Sequence, residues 1–195
     1  SDNGASREGE SAGTSAYLRT LVSKNAKEME DADADLARIE LLGGPRTMVH
    51  YPRGWAMASN TPWRLYKINT HAGGHSVPFL MSWPNGSGRV PVGERRGQWA
   101  FVTDVLPTLL ELCGVDRPGE RAGVPLQPLA GTTMAGALAD PTAHHPHTEQ
   151  YFEMSGHRGY YRDGWEIVTR HDALTPFGDH EWELYDLRSD PTEVR

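Results

Sequence analysis

The chain has 195 residues, a formal charge of −7, 21 glycines, 14 prolines and one cysteine. Acidic and basic residues are interspersed, so no basic stripe exists to neutralise phosphates, and a nucleic-acid partner is disfavoured. No apolar run reaches the length of a membrane span, and a lone cysteine excludes both an internal disulfide and a cysteine-based zinc site.

Residues 1–13 read as the end of a strand running into a Gly/Ser-rich loop. Thr14 to Leu42 is the best helical stretch: Tyr17, Leu18, Leu21 and Val22 recur at helical spacing, and Leu36, Ile39 and Leu42 repeat it. The acidic run Glu28 to Asp35 bends or interrupts that pattern. Gly43-Gly44-Pro45 then stops it, because glycine favours the helix C-cap and proline cannot continue a helix. Residues 46–75 have few periodic signals and many aromatics, which predicts a long functional loop with a short helix around Trp63 to Lys67. Ser76 to Trp83 is a short apolar run bounded by turn residues and reads as a buried strand.

Gln98 to Cys113 predicts an amphipathic helix with Phe101, Val105, Leu109 and Leu112 on one face and Gly114 as its cap. Pro107 inside the pattern should kink that helix or begin a second one. Residues 116–147, rich in Pro, Gly, Ala and His, read as connection and surface. Tyr160 to Thr169 predicts two strands around an Asp163-Gly164 hairpin turn. Trp182 to Leu187 alternates large and polar residues and predicts a further strand. There are no internal repeats.

Asp2 and Asn3 offer a carboxylate and an amide carbonyl, hard oxygen ligands suited to calcium or magnesium. The alternative is an Asx turn, and two groups alone cannot hold a metal. Lys67 follows Arg64 by three residues, so both project from one side of a helical turn. An ammonium on a long stem suits a sulfuryl or phosphoryl oxygen, whereas Arg64 can pair bidentately with a structural carboxylate. Gly73-Gly74 permits a tight turn or a close backbone approach. A solvated Arg/Lys pair is the plain alternative.

Nine histidines invite a metal reading. His144, His145 and His147 form a tract of the kind that binds transition metals, but in a Pro/Thr/Ala loop the expectation is solvated side chains. His71 and His75 are four apart, yet Gly73 and Gly74 between them argue against a zinc-binding helix. Cys113, at the end of an apolar face, reads as a small core residue rather than a nucleophile.

Taken in order, these segments resemble the sulfatase family. Asp2-Asn3-Gly4 is similar to the pair that ends a core strand and ligates calcium. Arg64-x-x-Lys67…Gly73-Gly74 is similar to the segment that brings a lysine to the sulfate. Thr103-Asp104-Val105-Leu106-Pro107-Thr108-Leu109-Leu110 resembles a recognisable family helix, and Gly164–Val168 and Trp182–Leu187…Asp190-Pro191-Thr192-Glu193 resemble its C-terminal strands. The resemblance covers nearly the whole chain, and the spacing from Asn3 to Lys67 looks most like the larger bacterial arylsulfatases.

The resemblance implies the end of an alkaline-phosphatase-like α/β mixed-sheet domain over residues 1–115. A small, truncated α+β subdomain with an antiparallel sheet follows over 116–195. It implies hydrolysis of a small-molecule sulfate ester by the complete enzyme, with Lys67 catalytic, Lys67 and His71 at the substrate, and Asp2 and Asn3 on Ca2+. A formylglycine nucleophile is expected before Ser1, since no Cys-x-Pro-x-Arg occurs here. Many members carry Glu before the Gly-Gly pair where this chain has Ala72, so no role passes to that position. The expected reading is a fragment, inactive by itself and completed by missing calcium ligands. A phosphodiesterase or phosphonate monoester hydrolase of the same superfamily is the alternative.

Overall fold

The computed structural model describes residues 4–22, 32–84 and 89–195. Asp2, Asn3 and the middle of the expected Thr14–Leu42 helix lie outside them. Two compact units form. The first comprises the described residues up to Pro78, with 151–160 and 164–195; the second comprises the rest. Among the described residues no helix is long and apolar enough to cross a membrane.

In the first unit the described parts of the expected long helix include α1 (Tyr17–Val22) and α2 (Ala32–Leu36), followed by a 3-10 turn at Ile39–Leu41. Leu18, Leu36 and Ile39 are exposed, so the periodic stripe is not a core face. Residues 14–17 run beside 48–50, with Thr14 and His50 exchanging backbone hydrogen bonds of 2.8 and 2.9 Å. Helix α3 (Arg53–Ser59) ends at Asn60. The Asn60 carboxamide accepts from the Ala5 N–H (3.0 Å) and donates to the carbonyls of Leu65 (3.0 Å) and Gly73 (2.9 Å). One side chain thus joins three backbone segments.

The expected helix around Trp63–Lys67 is absent. That stretch is irregular, and Leu65 (φ 65) and Ile68 (φ 86) occupy the left-handed region, where a side chain is sterically disfavoured and local strain is held by the surroundings. Helix α4 (Ala72–His75) follows. Gly73 and Gly74 are required there for space rather than for dihedral freedom. A Cβ at Gly73 would lie 2.3 Å from the Leu65 carbonyl oxygen, and one at Gly74 would lie 1.9 Å from that of Asn69. Ser76–Trp83 is irregular rather than a strand, with Phe79 and Leu80 exposed. An apolar run becomes a strand only beside a ladder partner, and the described residues supply none.

The C-terminal half of the chain contributes a four-stranded sheet in the order β3 (Glu149–Met154), β4 (His157–Arg162), β5 (Trp165–Thr169), β6 (Trp182–Asp186), numbered after the two short strands given below. Positive φ at Asp163 and Gly164 makes the tight hairpin between β4 and β5, as the Asp-Gly pair predicts. Strands β5 and β6 pair antiparallel, with Glu166 opposite Tyr185 and Val168 opposite Glu183. Glu166 and Val168 are fully buried and Tyr185 nearly so, while Trp165 and Leu184 on the other face are exposed.

In the second unit a 3-10 turn (Val102–Asp104) leads into α5 (Val105–Cys113). Pro107 therefore falls in the first helical turn, where the missing N–H would be unpaired anyway, and no kink results. Gly114 (φ 64) ends α5 with its own N–H on Glu111 and the Val115 N–H on the Leu110 carbonyl, a Schellman cap. Cys113 is exposed, not a core residue. The buried positions are Asp104, at the end of the 3-10 turn, and Thr108 in α5. The Thr108 hydroxyl donates to the Asp104 carbonyl (2.6 Å) and accepts from the Met134 N–H (2.9 Å). A two-residue hairpin, β1 (Glu120–Arg121) with β2 (Val124–Pro125), and helix α6 (Ala135–Ala139) complete the unit. Arg96 donates to the last carbonyls of α6, and Gln98 donates to those of Asp140, Pro141 and Ala143. Residues 116–147 are thus folded onto α5, not only surface connection.

Gly74→Ala is expected to destabilise the chain by about 1–3 kcal/mol or to prevent folding, because the methyl meets fixed backbone. Urea unfolding of the variant against Gly54→Ala, where nothing lies within 4 Å, measures it.

Candidate functional site

Lys67 is positioned by its backbone as well as its stem. Its N–H donates to the Ala5 carbonyl at 2.9 Å, so the segment after Gly4 and the Arg64–Gly74 loop are joined at this residue. The Lys67 ammonium is about one-third exposed and lies 2.9 Å from Glu8 Oε1. His50 Nδ1 is 3.6 Å from the other oxygen of Glu8. The hydrogen bond from Lys67 holds the Glu8 carboxyl below the usual range, so a carboxylate faces the ammonium.

Arg64 turns the other way, toward the sheet. Its Nη1 reaches Glu183 Oε2 (2.6 Å), the Tyr185 hydroxyl (2.7 Å) and the Glu193 carbonyl (3.3 Å). The Tyr185 hydroxyl also donates to Glu183, and burial together with that bond pushes the phenol up to about 12. Arg64 and Lys67 are about equally exposed, but the irregular turn between them sends them to different partners, Glu183 and Tyr185 for one and Glu8 for the other.

His71 is wholly buried, with Nε2 3.6 Å from Glu183 Oε2 and, among the described residues, neither ring nitrogen in a hydrogen bond. Burial and then the Arg64 charge lower its pKa to about 4, so the ring is neutral near pH 7. His75 stacks on Phe152 with centroids 4.5 Å apart, and its Nε2 lies 2.8 Å from the buried Glu166.

Glu193 is the residue that sequence reasoning passed over. The Asp190-Pro191-Thr192-Glu193 turn is closed by Asp190, whose carboxylate accepts the Val194 and Arg195 N–H groups at 2.8 Å and the Thr192 hydroxyl at 2.9 Å. That turn holds Glu193 at φ 56 and buries its side chain completely. Glu193 Oε2 accepts the Ala72 N–H at 2.8 Å, so a C-terminal carboxyl caps the first turn of α4, next to the Gly-Gly pair. Burial pushes the Glu193 carboxyl up to about 8, against the opposing Ala72 hydrogen bond. The signal for this role was a positional pattern, Asp-Pro-x-Glu, whose partner lies 121 residues away.

In the second unit the histidine tract is not solvated. His145 is buried and His147 is mostly so, and both face Asp104 (3.2 and 2.7 Å), while His144 is exposed. Among the described residues, Asp104, His145 and His147 are the one group with metal-ligating potential. Burial alone would raise the Asp104 carboxyl, but the Phe101 and Thr132 N–H groups and the two histidines outweigh it and hold it ionised.

These features find counterparts among known proteins. The family described as N-sulphoglucosamine sulphohydrolase, C-terminal, matches residues 66–195, two-thirds of the chain. Arylsulfatase K of Xenopus laevis is 25% identical over 136 residues, covering 67% of this chain and 24% of that protein. An arylsulfatase of Klebsiella aerogenes is 33% identical over 95 residues, 48% of this chain and 20% of that one. A solved structure of BT4656, described in complex with its substrate D-glucosamine-2-N,6-O-disulfate, aligns with 46% of this chain and 18% of its own at 19% identity and a TM-score of 0.32. The chain belongs to the sulphohydrolase C-terminal family and is a C-terminal sulfatase portion. It spans about a quarter of the length of the curated relatives it matches.

The raised Glu193 carboxyl carries a pH signature. The folded chain keeps this proton up to about pH 8, whereas the unfolded chain releases it near 4.5. The unfolded state therefore binds fewer protons across that window, and stability falls as pH rises through it. Glu193→Gln is expected to flatten that fall, measured as the difference in melting temperature between pH 5 and pH 8. An unchanged slope would place the titration elsewhere.

Proposed function

We propose that the full-length protein hydrolyses sulfate esters as an arylsulfatase, with Lys67 as the group of this chain that meets the sulfate. The observation that carries this reading is the state of Lys67. It lies inside the family match, its backbone is fixed by Ala5, and its partly exposed ammonium faces the Glu8 carboxylate. Glu8 holds the ammonium in place. An incoming sulfate oxygen takes over the position of the Glu8 oxygen, so the lysine exchanges one anion for another without losing its charge-assisted bond. The fixed ammonium then stabilises the charge that develops as the ester bond breaks. His71 acts from behind, filling the space between the Lys67 loop and Glu183 as a neutral ring.

Asp2 and Asn3 carry hard oxygens, the donor chemistry that calcium takes, and we assign them to that ion. Calcium, when bound, supplies positive charge to sulfate oxygens, and the nucleophile is a formylglycine from outside this chain. The histidine-containing group at Asp104 has the wrong donors for that ion.

Lys67→Ala in the full-length protein is expected to lower turnover of an aromatic sulfate by about two to three orders of magnitude while leaving the melting temperature nearly unchanged. Near-normal turnover would make Lys67 an ordinary surface lysine. Turnover of a phosphodiester in preference to the sulfate would move the protein to the phosphoryl-transfer side of the superfamily.

A further inference from the structure

We propose that Asp104, His145 and His147 bind a divalent transition metal of the zinc class. All three belong to the second unit. Asp104 is fully buried where the 3-10 turn meets α5, and its two oxygens are fixed from the backbone: Oδ1 accepts the Thr132 N–H and Oδ2 the Phe101 N–H, both at 2.8 Å. Close packing of Gly131 on the Thr103 carbonyl, where a Cβ would stand 2.1 Å from the oxygen, sets the Thr132 approach.

The two rings then converge on the same carboxylate. His145 Nε2 lies 3.2 Å from Oδ2, and His147 Nδ1 lies 2.7 Å from Oδ1 and 2.9 Å from Oδ2. With the two backbone donors this makes five close contacts on a group that offers about four lone-pair positions. On the far side of His147, its Nε2 is 3.1 Å from Gln150 Oε1, so the ring is held on both sides. A cation at the point where the three side chains converge would engage all of them at once.

The donor set selects the ion. Two imidazoles and one carboxylate suit zinc, cobalt, nickel or copper rather than calcium or magnesium. Ligands at about 2.0–2.1 Å in a tetrahedron stand about 3.3 Å apart. His145 and Asp104 already have that separation, His147 stands somewhat closer to Asp104, and all three ligand atoms lie within 4.8 Å of one another. The Gln150 oxygen holding the non-ligating nitrogen of His147 is the outer partner that orients a metal-binding histidine. Trp99 (5.1 Å, edge-on) and Phe101 (6.1 Å) flank the His147 ring, and Trp99 stacks on Tyr161 at 4.3 Å, giving the site an aromatic shell. Gln98 fixes the loop just before it by donating to the Ala143 carbonyl at 3.1 Å. Three protein ligands leave the fourth position to water. The ion would tie residues 143–148 to the start of α5.

The test is cobalt titration of the full chain, stripped with chelator and held in saturating calcium so that a hard-oxygen site cannot account for uptake. One equivalent of Co(II) showing tetrahedral visible bands, displaced by Zn(II), is expected. His147→Ala and His145→Ala should each abolish the bands, Gln150→Leu should weaken binding about 10–100-fold, and His144→Ala should leave it unchanged. Should the alanine variants misfold, His147→Gln with circular dichroism as a folding check replaces them. Binding that survives loss of both His145 and His147, or that depends on His144, overturns the proposal. So does the absence of cobalt uptake, whether nitrogen NMR then shows His147 doubly protonated or singly protonated on Nδ1.

Discussion

There is no room for a side chain at residues 73 and 74, and the first unit is arranged around that fact. The backbone there lies against the carbonyls of Arg64, Leu65 and Asn69. A contact this close between main-chain segments leaves polar groups that must be paired. Asn60 pairs the Gly73 and Leu65 carbonyls while also accepting the Ala5 N–H, and Glu193 takes the Ala72 N–H. Every one of these partners comes from a different part of the chain. The Lys67 loop is therefore held by long-range contacts, which is how left-handed Leu65 and Ile68 are tolerated.

The sheet contributes charge more than apolar surface to this arrangement. Strands β5 and β6 turn Glu166, Val168, Glu183 and Tyr185 to the side that meets Arg64, His71 and His75. Burying carboxylates is unfavourable unless cations or hydrogen bonds accompany them. Arg64 serves two of these groups and the Glu193 carbonyl at once, while burial raises the Glu193 carboxyl and lowers His71. Removing one partner of such a network leaves the others unpaired, so its members are energetically coupled.

In the second unit the same logic operates on a smaller scale. Asp104 and Thr108, four residues apart in the Asp-Val-Leu-Pro-Thr stretch, are buried polar residues whose oxygens pair the backbone of Phe101, Thr132 and Met134. The apolar side chains that made this helix visible in the sequence are less buried than these two.

Local chemistry was legible in the sequence wherever it acts between near neighbours. The Asp163-Gly164 hairpin, the Gly114 cap and the strand at Trp182–Asp186 follow from dihedral preference and alternation, which residues a few positions apart decide. The order of the motifs also marked the chain as a C-terminal sulfatase portion, since each motif is a short string. The tertiary structure alone decided which face of each strand is buried, because His75, the side chain that meets buried Glu166, is distant in sequence. It alone sent Arg64 to Glu183 and Lys67 to Glu8, and it alone folded His145 and His147 onto Asp104. The Ser76–Trp83 run stayed irregular for the same reason: a strand is a pairing, and pairing depends on a partner that composition and periodicity do not specify.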